Sequence, residues 1–181
     1  KLINSLSNKN SFINSEDGQK FYTQVFDTLV SQYPDEEQLF SLYSEYSTSL
    51  NNIDKSISLY EQLLLSHDIS PESWHDFLLK LSSKGDNDKL FDYTSKAIVN
   101  NPDDPLILLL YGECFIQKNN YMDAIKPLRQ SYSVLLQNSN PQTNNLKVAV
   151  MNDLASAYFY VDSTKEAYYF FDEIQIVNGW E

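Results

Sequence analysis

The side chains that most often carry chemistry are few in this sequence. It contains two histidines, His67 and His75, and one cysteine, Cys114. A zinc site draws three or four ligands from His, Cys and carboxylates, and two of them usually lie a few residues apart. The sequence has neither a His-x-x-x-His nor a Cys–His spacing. We therefore predict no metal site and interpret both histidines as ordinary surface residues.

Motifs of nucleophilic and phosphate chemistry are also missing. Cys114 has neither histidine near it in the sequence, and we interpret it as a packed thiol rather than a nucleophile. Four glycines form no Gly-x-Ser-x-Gly elbow and no phosphate-binding loop. The acidic runs at 35–37 and 103–104 stand at expected helix starts, where the helix dipole accounts for them. We predict no catalytic residue, no bound cofactor and no enzyme activity.

The charge balance excludes further classes of function. The sequence has 25 acidic and 13 basic residues, for a net charge of −12. Such a surface repels phosphate backbones, so we predict no binding of nucleic acid. The richest apolar run, 106–110, is far too short to span a bilayer, so we predict no direct membrane insertion of this segment.

The spacing of apolar residues predicts the elements that must position any site. Three similar openings of amphipathic helices occur at 52–57, 86–91 and 120–125, which gives a 34-residue step twice. A fourth opening follows after 43 residues, and the nine extra residues fall in the Asn-rich stretch 137–145. A 34-residue period is typical of stacked helix–turn–helix units. We predict an all-α fold, an α-solenoid of about eight helices in antiparallel pairs, with no strand.

The same spacing sets the predicted boundaries along the chain. They are 1–36 for the end of a truncated preceding repeat, 37–70, 71–104, 105–147 with the inserted loop, and 148–181. Ser70-Pro71-Glu72 has the residues of a helix start, namely a serine cap, a proline in the first turn and an acid. Gly112 is unfavourable inside a helix, so we predict that it meets Ala124 at a close helix crossing.

Particular residues in each copy resemble the tetratricopeptide repeat. The third copy fits the family pattern through Leu108, Tyr111, Gly112, Phe115, Ala124, Leu128 and Ser131. The second and fourth copies fit it through Trp74, Phe77, Leu81, Ala97, Pro102, Leu154, Ala155, Tyr158, Ala167 and Phe171. In the first copy, Ser44 and Ser56 replace small apolar residues. The resemblance covers nearly the whole chain from Phe21 onward.

Residues 74–125 and the inserted loop also resemble the C-terminal part of long multi-repeat tetratricopeptide proteins of Bacteroidetes-type bacteria. Proteins of that kind are often exported, so this resemblance implies the cell envelope or periplasm. The sequence itself leaves the compartment unknown. It begins at Lys1 rather than Met and ends at Glu181 just after a predicted helix, so we expect it to be a fragment of a longer protein.

The family resemblance implies that the first helices of the repeats line a concave groove that binds peptides. Register places these residues in it: Glu45, Glu72, His75, Leu79, Leu106, Leu109, Glu113, Ile116, Asn152 and Phe159. The set contains no Lys or Arg, so a clamp for a C-terminal carboxylate is not expected. Its lining fits a protein segment with apolar anchors and some Lys or Arg. The apolar members have a second interpretation, which is packing against neighbouring helices or against a repeat outside this sequence.

These observations predict a non-catalytic scaffold for protein–protein interaction that binds a protein or peptide segment in the groove. One alternative is a regulatory or ligand-sensing module attached to a catalytic or envelope protein outside this fragment. Another is a purely structural spacer. The partner's identity and the oligomeric state are not encoded in any motif of the sequence.

Overall fold

The computed structural model describes residues 15–138 and 140–177. Within these ranges the chain forms nine α-helices, one short 3-10 turn and no strand. This confirms the predicted fold class, an all-α solenoid of antiparallel helix pairs. The chain divides into two compact units between Ile69 and Ser70.

The first unit contains three helices, each packed on the next: α1 (Glu16–Gln32), α2 (Glu37–Ser49) and α3 (Ile53–Leu63). Phe40, Tyr43 and Tyr60 are fully buried between them. Asp27 of α1 accepts a hydrogen bond from the Tyr43 hydroxyl (2.7 Å) and one from Lys55 Nζ (2.9 Å). These bonds join all three helices through one carboxylate.

Two serines in this unit explain why its repeat departs from the family pattern. Ser44 and Ser56 are fully buried, and their hydroxyl oxygens lie 2.5 Å apart. Thr48 donates its hydroxyl to the Ser44 carbonyl (2.9 Å) and to Ser56 Oγ (3.3 Å). A buried hydroxyl is tolerated when it finds a partner. The serines therefore replace small apolar residues as a mutually satisfied pair.

The second unit contains six helices: α4 (Pro71–Lys84), α5 (Asn87–Asn100), α6 (Pro105–Gln117), α7 (Tyr121–Gln137), α8 (Asn144–Tyr160) and α9 (Thr164–Val177). Each packs on the next along the chain, and α4 packs on α6 and α6 on α8 as well. The helices α4, α6 and α8 thus lie side by side, and we call them the first-helix layer. They are the helices expected to line a groove.

Local signals in the sequence set where these helices begin and end. Ser70 accepts a hydrogen bond from the Ser73 amide (3.3 Å), with Pro71 as the first residue of α4. Asp104 accepts from the amides of Leu106 and Ile107, both at 3.0 Å, and so caps α6. Gly85 ends α4 with a φ of 74°, a conformation that glycine adopts without strain. The predicted helix start at Ser70 is confirmed.

The nine extra residues lengthen two helices more than they form a loop. Helices α7 and α8 have 17 residues each, whereas α5 has 14 and α6 has 13. The 3-10 turn Pro141–Thr143 leads into α8. Longer helix ends therefore account for most of the nine extra residues.

Leu128 lies closest to Gly112, and the predicted contact of Gly112 with Ala124 stays a prediction. A Cβ atom built on Gly112 would lie 2.6 Å from Cγ of Leu128, and its three nearest atoms all belong to Leu128. Helical side chains lean toward the N-terminal end of their helix, so a residue covers the turn before its own. Leu128 therefore extends toward the position of Ala124, one turn earlier, and fills the space beside Gly112. The close crossing is present, and Leu128 forms its other side.

Candidate functional site

The structure places the predicted groove residues at different depths. Exposed members are Glu72, Leu79, Asn152 and Phe159 of the second unit, and Glu45 on α2 of the first. Half-buried members are His75, Leu106, Glu113 and Ile116. Leu79 is 47% exposed and Phe159 is 60% exposed. These two are the apolar members that a ligand could reach directly.

Leu109 follows the second interpretation of the apolar members, which is packing against neighbouring helices. It is only 4% exposed and belongs to the hydrophobic core with Met151 and Leu154 of α8. Ile116 is partly buried against the same core. The physical reason is that α8 packs on the face of α6 that carries Leu109, so a position open in an isolated helix pair is covered by the next pair. Leu109 stabilises the fold and is not an open contact for a ligand.

His75 is also more than an ordinary surface residue. Its Nε2 lies 2.8 Å from Oδ2 of Asp104, the residue that caps α6. The hydrogen bond to Asp104 raises the pKa of His75 above its usual value, although burial opposes the shift. Burial would raise the pKa of Asp104, but the bonds from His75 and the Ile107 amide lower it overall. The pair ties α4 to the start of α6.

We predict that this pair stabilises the chain less as the pH rises. A histidine whose pKa is raised in the folded state contributes fully below its unfolded pKa, near 6.5, and loses that contribution as the pH rises through the folded value. The free energy of unfolding of the parent should therefore exceed that of the His75→Gln variant by up to about 1 kcal/mol at pH 6. The difference should shrink by pH 8.5.

The measurement is urea unfolding of both proteins from pH 5.5 to 8.5, with His67→Gln as the matched histidine control. His67 lies 3.8 Å from Asp35, whose side chain is largely exposed. A gap between parent and His75→Gln that stays constant across this range would contradict the account.

Two carboxyl groups form the most unusual electrostatic feature of the first-helix layer. Glu113 of α6 and Asp153 of α8 are half-buried, and these helices pack side by side. Burial raises the pKa of Glu113 to about 7, with a further contribution from the charge of Asp153. Burial raises the pKa of Asp153 to about 6. The layer therefore holds two carboxyls in which negative charge is unfavourable.

No described residue forms an ion pair with either carboxyl. Lys80 pairs with Asp76 one turn earlier in α4, and Lys118 lies 3.6 Å from Asp88. Arg129 donates to the Tyr158 hydroxyl at 2.9 Å. Oδ2 of Asp153 is shielded from solvent and accepts no hydrogen bond within the described part of the chain. The negative charges thus lack compensation from the described residues.

Sequence reasoning missed Asp153. The register placed Asn152 and Phe159 of α8 in the groove and left Asp153 out, because its position matches Leu110 of α6, which is buried. The available signal was the acid itself. A carboxylate is costly at a position where another repeat buries a leucine, unless the carboxylate has a partner or a role. That position lies beside α6 and close to Glu113.

The described residues show little that resembles an active site. Cys114 is 1% exposed, and burial raises the pKa of its thiol to about 11, so the reactive thiolate is scarce near neutral pH. Residues 15–138 and 140–177 contain no group of three His, Cys, Asp or Glu side chains that could hold a metal ion. No helix in these ranges has both the length and the apolar character needed to cross a bilayer.

The stacked helix pairs and their 34-residue step define the fold class, which is that of tetratricopeptide-repeat proteins. Among solved structures, MamA is similar at a TM-score of 0.70 with 11% identity, over 90% of this chain and 94% of MamA. YrrB is described as "a TPR protein with an unusual peptide-binding site". It is similar at a TM-score of 0.66 with 13% identity, over 96% of this chain and 81% of YrrB.

A kinesin light chain from Podosopora anserina with "nearly identical TPR-like repeats" also shares the fold. Its TM-score is 0.59 at 11% identity, over 90% of this chain and 89% of that one. No protein-family model matches the sequence, and no curated protein matches it. At these identities the likeness establishes the fold alone.

Proposed function

We propose that this chain is a non-catalytic scaffold that binds a segment of another protein on its first-helix layer, as in a concave groove. The observation that carries the proposal is the exposure of Leu79 and Phe159 on this layer, at 47% and 60%. On helices that would line a groove, exposed apolar side chains are available to the anchors of a bound segment. YrrB, with the same fold, is described as having a peptide-binding site, which supports the choice.

The same layer suggests the chemistry of the partner. The carboxylates of Glu72 and Glu113 lie on α4 and α6 with the apolar side chains. A fitting segment carries apolar anchors together with Lys or Arg. Buried anchors then supply most of the affinity, while the charge of −12 mainly speeds association and is screened by salt. This chemistry also disfavours nucleic acid as a partner.

We infer the repeat boundaries from the 34-residue step, and the helix pairs support them. The pairs α2–α3, α4–α5 and α6–α7 fall within the proposed repeats 37–70, 71–104 and 105–147. The last pair, α8–α9, corresponds to the proposed repeat 148–181, although α8 begins earlier, at Asn144. Helix α1 then takes the place of the second helix of a truncated repeat within 1–36. The closer resemblance to exported bacterial proteins stays a prediction.

The proposal is tested with peptides selected for binding to the chain from a random twelve-residue library. Replacing the two exposed anchors, as Leu79→Ser with Phe159→Ser, is expected to weaken the selected peptides by about tenfold or more, because the anchors supply most of the affinity. Isothermal titration calorimetry measures the change. Circular dichroism checks that the variant is folded, as expected for exposed positions.

The matched control is Val99→Ser with Met122→Ser on the second helices α5 and α7. Val99 is 74% exposed and Met122 is 65% exposed, so the control removes similar exposed apolar area. It is expected to change affinity by less than about twofold. If the control weakens binding and the test variant does not, the first-helix layer is not the binding surface.

A further inference from the structure

We propose that the outer face of α9 is a second interaction surface, which binds an amphipathic helix of a partner protein by holding a tyrosine of that helix. The surface consists of Tyr168, Phe171 and Asp172, and we call it the α9 face. It belongs to a second helix rather than to the first-helix layer, so this inference goes beyond the proposed function.

The first unit contains a contact of the kind that we propose for the α9 face. The ring of Phe26 on α1 stacks on the ring of Tyr43 on α2, with centroids 4.8 Å apart and 9° between the planes. The next residue, Asp27, accepts a hydrogen bond of 2.7 Å from the hydroxyl of the same tyrosine. A phenylalanine followed by an aspartate thus holds both the ring and the hydroxyl of one tyrosine on the helix that follows.

Helix α9 has the same two residues at the equivalent positions. Three steps of 34 residues and one of 43 take Phe26-Asp27 of α1 to Phe171-Asp172 of α9. The same register falls on Arg129 in α7, which donates to the Tyr158 hydroxyl of α8 at 2.9 Å. In α1 and in α7, the position of Asp172 therefore bonds to a tyrosine of the next first helix.

Tyr168 is also at a position that contacts the next first helix elsewhere in the array. Its counterpart in α5 is Phe91, by one step of 34 residues and one of 43. The ring of Phe91 stacks on that of Tyr111 on α6, with centroids 5.5 Å apart. An aromatic ring at this register therefore packs on a tyrosine of the helix that follows.

The α9 face differs from its counterparts in its exposure. Phe171 is 41% exposed and Tyr168 is 64% exposed, whereas Thr94 and Leu128, at the position of Phe171 in α5 and α7, are fully buried. Helix α5 packs on α4 and α6, and α7 packs on α6 and α8, while the main partner of α9 is α8. In a stacked array each pair covers the face of its neighbour. The interface that α7 forms with α8 thus continues onto α9, where it is open within the described part of the chain.

Charge indicates which helix fits this face. Helix α9 has three acidic residues and one basic residue. In the first unit, Lys55 Nζ donates to Asp27 at 2.9 Å and lies 4.9 Å from the centroid of the Tyr43 ring. A helix with a tyrosine in its apolar stripe and with flanking Lys or Arg can make the same contacts. A second copy of this chain, with its net charge of −12, would bring acid against acid.

The experiment uses α2 as the probe, because α2 supplies the tyrosine that α1 binds. A peptide of Glu37–Ser49 with two lysines added at each end is held helical by a hydrocarbon staple between positions 41 and 45, on the side away from Tyr43. Isothermal titration calorimetry should show saturable binding to the parent protein. Phe171→Ser with Asp172→Asn should weaken the affinity by about tenfold or more, because a few anchors supply most of the binding energy.

A second peptide separates the hydrogen bond from the stacking. It carries Tyr43→Phe, which keeps the ring and removes the hydroxyl. The parent protein should prefer the tyrosine form by about fivefold or more, since hydrogen bonds to charged groups are the stronger ones. Asp172→Ala should reduce this preference to less than about twofold. A purely structural role of Asp172 would leave the preference unchanged.

The matched control is Val99→Ser with Asp92→Asn, which removes an exposed apolar side chain and an exposed charge from α5, another second helix. It should change the affinity for the peptide by less than about twofold. Circular dichroism checks the fold of each variant. If Phe171→Ser with Asp172→Asn does not fold, the comparison of the two peptides on Asp172→Ala decides the question.

Four results would overturn the inference. The first two are no binding of the stapled peptide and equal binding of its tyrosine and phenylalanine forms. The third is binding that Leu79→Ser with Phe159→Ser abolishes and the α9 variant retains, because the peptide then lies on the first-helix layer. The fourth is self-association of the parent, measured by analytical ultracentrifugation, that the α9 variant loses, which assigns the face to a second copy.

A longer form of the chain, continued beyond Glu181, gives one further test of the occupant. Loss of peptide binding in that form would overturn the inference, because the face would then be covered by its own polypeptide. If the peptides selected from the random library bind as expected and the stapled peptide does not, the proposed function stands and only the α9 face is wrong.

Discussion

Replacing Gly112 with leucine is expected to lower the free energy of unfolding by about 1–3 kcal/mol. A Cβ at this position would already lie 2.6 Å from Cγ and 2.7 Å from Cδ2 of Leu128. Leu128 is fully buried, so it has little room to move. Helix propensity alone would predict the opposite sign, because leucine favours a helix interior over glycine by roughly 1 kcal/mol. Overpacking at the crossing of α6 and α7 should outweigh that gain.

A double-mutant cycle with Leu128→Ala isolates the contact. Leu128→Ala alone should destabilise by about 2–5 kcal/mol, because it leaves a cavity. In that background Gly112→Leu should be less harmful or even stabilising, with a coupling energy of about 0.5–3 kcal/mol. Urea unfolding of the four proteins measures it. Additive effects, or a Gly112→Leu protein as stable as the parent, would show that Gly112 is not at a tight crossing.

Removing both charges of the carboxyl pair is expected to stabilise the chain, and more strongly as the pH rises. The pKa of Glu113 is raised to about 7 and that of Asp153 to about 6, so the folded state binds more protons than the unfolded state between about pH 4 and 7. Stability falls with rising pH wherever the folded state binds more protons. The double variant Glu113→Gln with Asp153→Asn should not lose stability in this way. Its free energy of unfolding, compared with that of the parent, should therefore increase by about 1–3 kcal/mol between pH 4 and pH 8.

Urea unfolding at pH 4, 6 and 8 measures this difference, with Glu166→Gln and Asp172→Asn as the control of equal charge. The control should show a much smaller pH dependence, because both carboxyls are exposed on α9. A double variant less stable than the parent at pH 8 would mean that the carboxylates are compensated within the fold. Greater stability combined with weaker binding of cationic peptides would fit a trade of stability for function.

The fold could be predicted from the sequence because its signals are local and repeated. The 34-residue step fixed the number of helix pairs from Glu37 onward, and Ser70 and Asp104 mark helix starts that the structure contains. The apolar spacing also predicts the end of an earlier helix near Leu2, Ile3 and Leu6, and the end of the last helix near Asn178-Gly179. Both places lie outside the described residues.

The depth of side chains within the candidate site could not be predicted in this way. Register along one helix identifies a face, but whether that face is open depends on the next helix pair. Leu109 is buried because α8 covers it, whereas Phe159 on α8 is exposed. The same tertiary packing brings Glu113 and Asp153, 40 positions apart, onto neighbouring helices, and pairs His75 with Asp104. Contacts of this kind have no local signal in sequence.

The central claim is that the first-helix layer binds a protein segment, and a map of one selected peptide on the labelled chain tests it most directly. Backbone amide shifts in NMR spectra, recorded as the peptide is added, should change mainly on α4, α6 and α8, around Leu79, Glu113 and Phe159. Changes confined to α5, α7 and α9 would contradict the account.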